Sequence, residues 1–159
     1  MQKLLDLEPE LRNTAEHRPL TVKAIIVTSD DKTLLLKRPN DGRWDLPGGG
    51  VDADENLADA LIREVREETD LEIDNATPVY TFLRSVSGKA EKLLQFSLCY
   101  LSAKSSALDV TLSDEHESYA FFDAVDLRGL QIVPSYMEAL RCAREEIDKV
   151  HTPFQNRSV

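Results

Sequence analysis

Two periodicities alternate along this chain and outline its elements. Residues 21–29 (TVKAIIVTS) are β-branched and apolar, Asp30-Asp31 forms a turn, and residues 33–38 (TLLLKR) resume the strand pattern. That pair predicts a β-hairpin. Residues 39–42 read as a turn and residues 43–50 as an irregular, glycine-rich connection. From about Asn56 to Thr69 the period lengthens. Leu57, Ala58, Leu61, Ile62 and Val65 recur at spacings of three and four, which predicts one apolar helix face. Asp52 or Asp54 is expected to cap this helix, with Asp52 and Glu55 at capping-box spacing. Strands follow over residues 79–86, 92–101 and 119–123, with Ser87-Gly88-Lys89 as the turn between the first two. Pro134 opens a last helix whose apolar stripe is Tyr136, Leu140, Ala143 and Ile147. Strands flanking a central helix, closed by another helix, predict an α/β fold in which a mixed β-sheet is sandwiched between helices.

Length and charge narrow the function classes. At 159 residues the chain suits one domain, drawn here over 19–151, with an N-terminal arm over 1–18 and a tail over 152–159. Hydrophobic residues make up 42% and charged residues 30%, enough for both a core and a soluble surface. The formal net charge of -10 argues against nucleic acid or an anionic membrane as a partner, because both call for a basic face. With no long apolar run and no secretory pattern, the expected location is the cytoplasm. Cys99 and Cys142 stand far apart and read as buried thiols rather than a disulfide or zinc site.

The chemistry concentrates in residues 46–71, LPGGGVDADENLADALIREVREETDL. Gly48, Gly49 and Gly50 are half of the chain's six glycines and precede the helix that carries Glu64, Glu67 and Glu68. Offsets of three and four project the three carboxylates together, where they repel by a few tenths of a kcal/mol per pair. A hard divalent cation turns that penalty into a binding site. A solvated acidic helix face is the alternative, and an Arg63–Glu67 pair would favour it. The glycine run tips the balance, since it permits a close approach of backbone to ligand.

This segment resembles the Nudix box, written G-x5-E-x7-R-E-U-x-E-E-x-G-U with U aliphatic. Gly49, Glu55, Arg63, Glu64, Val65, Glu67, Glu68 and Leu71 match it in register. Asp70 stands where the family has glycine, a position that follows the helix and favours the left-handed conformation; the expected cost is about 1 kcal/mol of stability. The resemblance implies a magnesium-dependent hydrolase, with manganese as a substitute, that cleaves a diphosphate linkage in a small nucleotide substrate. Glu67 and Glu68, then Glu64, are the implied metal ligands, and the carbonyl of Gly49 is another. Arg63 is expected to orient the carboxylates. The general base is open between Glu64 and the run Ser113-Asp114-Glu115-His116-Glu117, where Glu115 precedes Glu117 in preference and also counts as a metal ligand. His116 is read as a surface residue. Lys37 and Arg38 form a candidate phosphate clamp together with Gly48 and Gly49, with Arg43 undecided. Trp44 reads as packing, and Tyr80, Phe82, Phe121 and Tyr136 as core more than pocket wall.

A nucleotide-binding regulator of the same fold is the leading alternative, although all four box glutamates are present. An isomerase on that fold and a purely structural acidic module rank lower. Nucleoside triphosphates, ADP-ribose, other nucleoside diphosphate sugars and dinucleoside polyphosphates all stay open as substrates, and a homodimer is allowed.

Overall fold

The chain alternates short apolar strands with two amphipathic helices, and both helices find one sheet to cover. The computed structural model describes residues 20–73, 76–86, 93–103 and 108–151. In order the elements are β1 (Leu20–Val27), β2 (Thr33–Lys37), β3 (Trp44–Asp45), α1 (Leu57–Thr69), β4 (Thr77–Val86), β5 (Leu93–Ala103), β6 (Ser118–Phe122), a 3-10 turn (Asp126–Gly129) and α2 (Pro134–His151). The expected turn at Ser87-Gly88-Lys89, the arm over 1–18 and the tail over 152–159 lie outside the described residues.

The sheet is mixed. Its order is β3-β2-β1-β5-β4, with β6 on the other edge of β2. β1 runs parallel to β5 from Leu20↔Phe96 to Val27↔Ala103, and the remaining pairs are antiparallel. The expected hairpin forms, but β1 and β2 pair in register only at Val27↔Thr33. Past that point β3 takes the vacated edge of β2, pairing Trp44 with Lys37 and Asp45 with Leu36. Residues 43–50, read as irregular, therefore contain a short strand.

Alternation along β1 splits the core in two. Leu20, Val22, Ala24 and Ile26 pack with Leu57, Ala60, Leu61 and Val65 beneath α1. Ile25 and Val27 pack with Tyr136, Ala139, Leu140 and Ala143 beneath α2. A strand buried on both faces loses the polar alternation of a half-exposed one, which is why β1 reads as a continuous apolar run. Trp44 lies edge-to-face on Phe122 at 4.7 Å, within the α2-side core, as packing. Tyr80 and Phe82 pack against that same core, whereas Phe121 packs on the α1 side.

Two local expectations change. Asn56, rather than Asp52 or Asp54, caps α1: its side chain accepts from the Asp59 N–H at 2.9 Å. Asp52 and Glu55 form a turn one step earlier, so their capping-box spacing describes the approach to the helix instead of its first residue. Cys142 is half-buried and free, and of Cys99 only the backbone is described. At the other end of α1, Asp70 adopts φ 56°, ψ 19°, with its N–H donating to the Arg66 carbonyl at 2.8 Å. The left-handed conformation expected there is present without a glycine.

Candidate active site at the glycine loop and helix α1

Where β2 diverges from β1, the glycine segment fills the gap. The Val22 N–H donates to the Gly49 carbonyl at 3.0 Å, Ala24 N–H to Pro47 at 2.7 Å, and Val51 N–H to Leu20 at 3.1 Å. Residues 47–51 are thus laced onto β1, and Gly48 is needed for that approach, while Gly49 makes room for α1. Gly48 has φ 124°, and a Cβ there would collide with the Val22 backbone carbonyl. At Gly49 a Cβ would overlap the Glu64 carboxylate. The helix acid rests directly on the loop backbone, so the loop and α1 form one surface.

Arg63 organises that surface. Its Nε and Nη2 donate to the two carboxylate oxygens of Glu55 at 2.9 and 2.7 Å. Nη2 also donates to the Gly50 carbonyl at 3.0 Å, and Nη1 to Glu64 at 2.7 Å and Glu67 at 3.2 Å. The bonds that Arg63 donates to Glu55 and Glu64 raise the guanidinium pKa further, leaving a permanent cation. Arg63 in turn holds the Glu55 carboxyl below its ordinary value.

Glu68 is the buried acid of the group, 7% exposed. Its Oε2 accepts from the Gly48 N–H at 2.6 Å. Burial pushes its pKa up to about 7, with Glu64 and Asp45 adding to the rise and Lys23 and the Gly48 N–H opposing it. A carboxyl raised in this way lacks sufficient positive charge around it. Among the described residues no three acidic, His or Cys side chains already converge as a ligand set. The acids instead lean on Arg63 and the loop amide. Still, the available donors are all oxygens, drawn from Glu64, Glu67 and Glu68 around a cradle only glycine can form, which fits a hard divalent cation. The Gly49 carbonyl is engaged with Val22, and the Gly48 carbonyl accepts from Lys23.

The 113–117 loop reaches the same place. Ser113 N–H donates to the Glu68 carbonyl at 3.1 Å, and Glu117 N–H to Lys37 at 2.8 Å. These bonds strap the loop across the end of α1. They correct the reading of His116 as a surface residue: its side chain is 9% exposed, with Nε2 3.7 Å from Glu68 Oε1. Burial, then the Lys23 charge, lowers the imidazole pKa and keeps it neutral. Glu115 stays exposed on the turn. Lys37 pairs with Glu117 at 3.1 Å, and both Arg38 and Arg43 lie beside Asp41, at 3.5 and 3.7 Å. Those cations are thus engaged with neighbouring acids. Sequence reasoning missed Lys23 and Asp45, an ion pair at 3.3 Å beneath the loop. A lone lysine within an apolar strand was the available signal.

Comparison with known proteins agrees with this architecture. The NUDIX domain family model matches residues 17–146. The Bacillus subtilis protein described as the uncharacterized Nudix hydrolase YvcI is 43% identical over 60 residues, which is 36% of this chain and 38% of that one. The nucleoside triphosphatase NudI of Escherichia coli is 31% identical over 123 residues, 69% of this chain and 86% of its own. In fold, the MutT protein of Methanosarcina mazei superposes with a TM-score of 0.70 at 24% identity, over 87% of this chain and 99% of that one. With the family model covering most of its length and the loop–helix junction built as described, the chain belongs to the Nudix family.

Proposed function

We propose that this protein is a magnesium-dependent pyrophosphohydrolase that cleaves the diphosphate linkage of a nucleoside triphosphate or a related nucleoside diphosphate derivative. The observation that carries the reading is the buried Glu68 carboxyl, held on the Gly48 amide with its pKa pushed up to about 7 beside Glu64. Such crowding is costly in a protein that uses it for nothing, and such groups gather at functional sites. Glu67, Glu68 and Glu64 are the residues that would hold the metal. Mg²⁺, with Mn²⁺ as a substitute, would offset charge on the phosphates and acidify the attacking water. Arg63 donates to Glu64, to Glu67 and to the Gly50 carbonyl, and so ties these acids to one another and to the loop. Lys37 and Arg38 remain the candidates for a phosphate clamp, and Gly48 and Gly49 let the substrate approach the backbone. The base would be Glu64, Glu115 or Glu117, the last of which is paired with Lys37. Glu64 lies on the loop, whereas Glu115 is exposed and would have to act through a water, so Glu64 is preferred.

Nucleoside triphosphates rank first among substrates, because the likeness to the triphosphatase NudI extends over 86% of that relative. The test is hydrolysis of a nucleotide panel in Mg²⁺, with products separated by chromatography and EDTA as control. Metal-dependent release of a monophosphate from one triphosphate is the expected result. Tight binding of a nucleotide with no product from any panel member would favour a regulator instead.

A further inference from the structure

Lys23 has no task in the site as described so far. It lies in β1 between Val22 and Ala24, both fully buried, and is itself 7% exposed. An ammonium taken out of water is stable only when its charge and its donors are matched. Asp45 at 3.3 Å matches the charge. The other bonds go further than charge balance demands: Nζ also donates to the Leu46 carbonyl at 3.0 Å and to the Gly48 carbonyl. All three partners lie in one run, 45–48, whose Gly48 N–H is the group that holds Glu68.

The peptide geometry makes this arrangement specific. The Gly48 N–H belongs to the peptide between Pro47 and Gly48. Lys23 grips the carbonyls of the peptides immediately before and after it. A glycine at φ 124° is free to rotate these planes, and two bonds from one buried ammonium remove that freedom. Lys23 also comes close enough to Glu68 to oppose the rise of its pKa.

We infer that Lys23 is a positioning residue for the metal site: by clamping the carbonyls of Leu46 and Gly48 it aims the Gly48 N–H that fixes the Glu68 carboxylate. It touches neither substrate nor metal and acts through the loop. The inference rests on the proposal that Glu68 is a metal ligand.

Replacing Lys23 alone would strand Asp45 as a buried unpaired charge, so the informative variant is the neutral pair Lys23→Met/Asp45→Asn. The amide oxygen introduced by Asp45→Asn can still accept the Leu46 N–H, which the native Asp45 carboxylate accepts at 2.8 Å. Mn²⁺ alone is titrated into metal-free protein and followed by electron paramagnetic resonance, alongside urea unfolding and steady-state kinetics. The Leu46 and Gly48 carbonyls lose their donor in this variant, so the expected result is a cooperative urea transition at a lowered midpoint, Mn²⁺ affinity weakened about 10-fold or more, and kcat lowered about 10–100-fold with KM nearly unchanged. Wild-type Mn²⁺ affinity and kcat in this variant would reduce Lys23 to the partner of Asp45 and overturn the inference. If the pair does not fold, the wild-type protein decides: the Lys23 ¹⁵Nζ resonance should be protected from exchange and should move with the Gly48 amide as Mg²⁺ is added. A Lys23 signal that is indifferent to saturating Mg²⁺ overturns the inference equally. Failure of the wild-type protein to bind Mn²⁺ at all would instead overturn the proposed function.

Discussion

Helices α1 and α2 carry similar charge patterns and use them differently. On α2, Arg141 pairs with Glu138 and Glu145, Arg144 with Asp148, and Lys149 with Glu146, all at spacings of three or four. These side chains are 41–66% exposed, where water and salt screen such pairs and leave them little weight in stability. On α1 the pairing cation Arg63 is more buried than those of α2, and it also reaches Glu55 and the Gly50 carbonyl. Glu68 is 7% exposed and turned to the Gly48 amide rather than to a cation. Identical chemistry at identical spacing is a solvated face in one helix and a strained cluster in the other. What separates them is the neighbour: both helices lay an apolar stripe on the sheet, but the acids of α1 also meet the glycine loop, at Gly48 and Gly49.

The sharpest way to break the comparison is to neutralise one acid on each helix. Glu68→Gln should keep the hydrogen bond from Gly48 and the fold, yet lose several kcal/mol of charge stabilisation, about 10³-fold in kcat. Glu138→Gln should leave kcat within about twofold, as expected of a surface charge. Equal, small effects in the two assays would erase the distinction between the helices.

Next in size is the pH dependence of stability without metal. The Glu68 pKa is raised in the folded state from 4.5 to about 7, so its stabilising contribution is full below about 4.5 and is lost as pH rises toward 7. Metal-free protein should therefore weaken across that window by up to about 3 kcal/mol, followed by urea unfolding at several pH values. Glu68→Gln should flatten this slope, and Mg²⁺ should restore stability at pH 7 by binding the native state. A wild-type slope that survives in Glu68→Gln would move the titration elsewhere.

The two loop glycines should fail differently. Gly48→Ala puts a Cβ into the backbone carbonyl of Val22 at a positive φ, and should cost about 2–3 kcal/mol in thermal unfolding. At Gly49→Ala the nearest atoms to the new Cβ are the carboxylate end of Glu64, which can turn aside. The variant's stability should fall by about 1 kcal/mol or less, with kcat bearing the damage through the displaced acid. The reverse assignment would place the structural constraint at Gly49.

Smallest is Asp70→Gly, at φ 56° beyond the end of α1. It should raise stability by about 0.5–1 kcal/mol and leave kcat alone, since glycine accepts the left-handed conformation more readily than Asp.

Much of this was legible in the chain. The box spacing marked Glu64 and Glu68, which the fold brings onto the glycine loop, and strand and helix periods located β1, β2, α1 and α2. Features that depend on long-range geometry were not. Asn56 took the cap because it is the one residue between the Asp52–Glu55 turn and the start of α1 at Leu57. His116 reads as polar surface until Ser113 ties its loop to the end of α1 across 45 residues of sequence. Lys23 and Asp45 sit 22 residues apart, and only the departure of β2 from β1 brings the loop over the lysine.

The most direct test of the central claim, that the α1 carboxylates and the glycine loop form a divalent metal site, is Mn²⁺ titration of metal-free protein followed by electron paramagnetic resonance. Wild type and Glu138→Gln should bind alike, while Glu67→Gln and Glu68→Gln should lose most of the affinity with their folds intact. Undiminished Mn²⁺ binding in the Glu67 and Glu68 variants would contradict it.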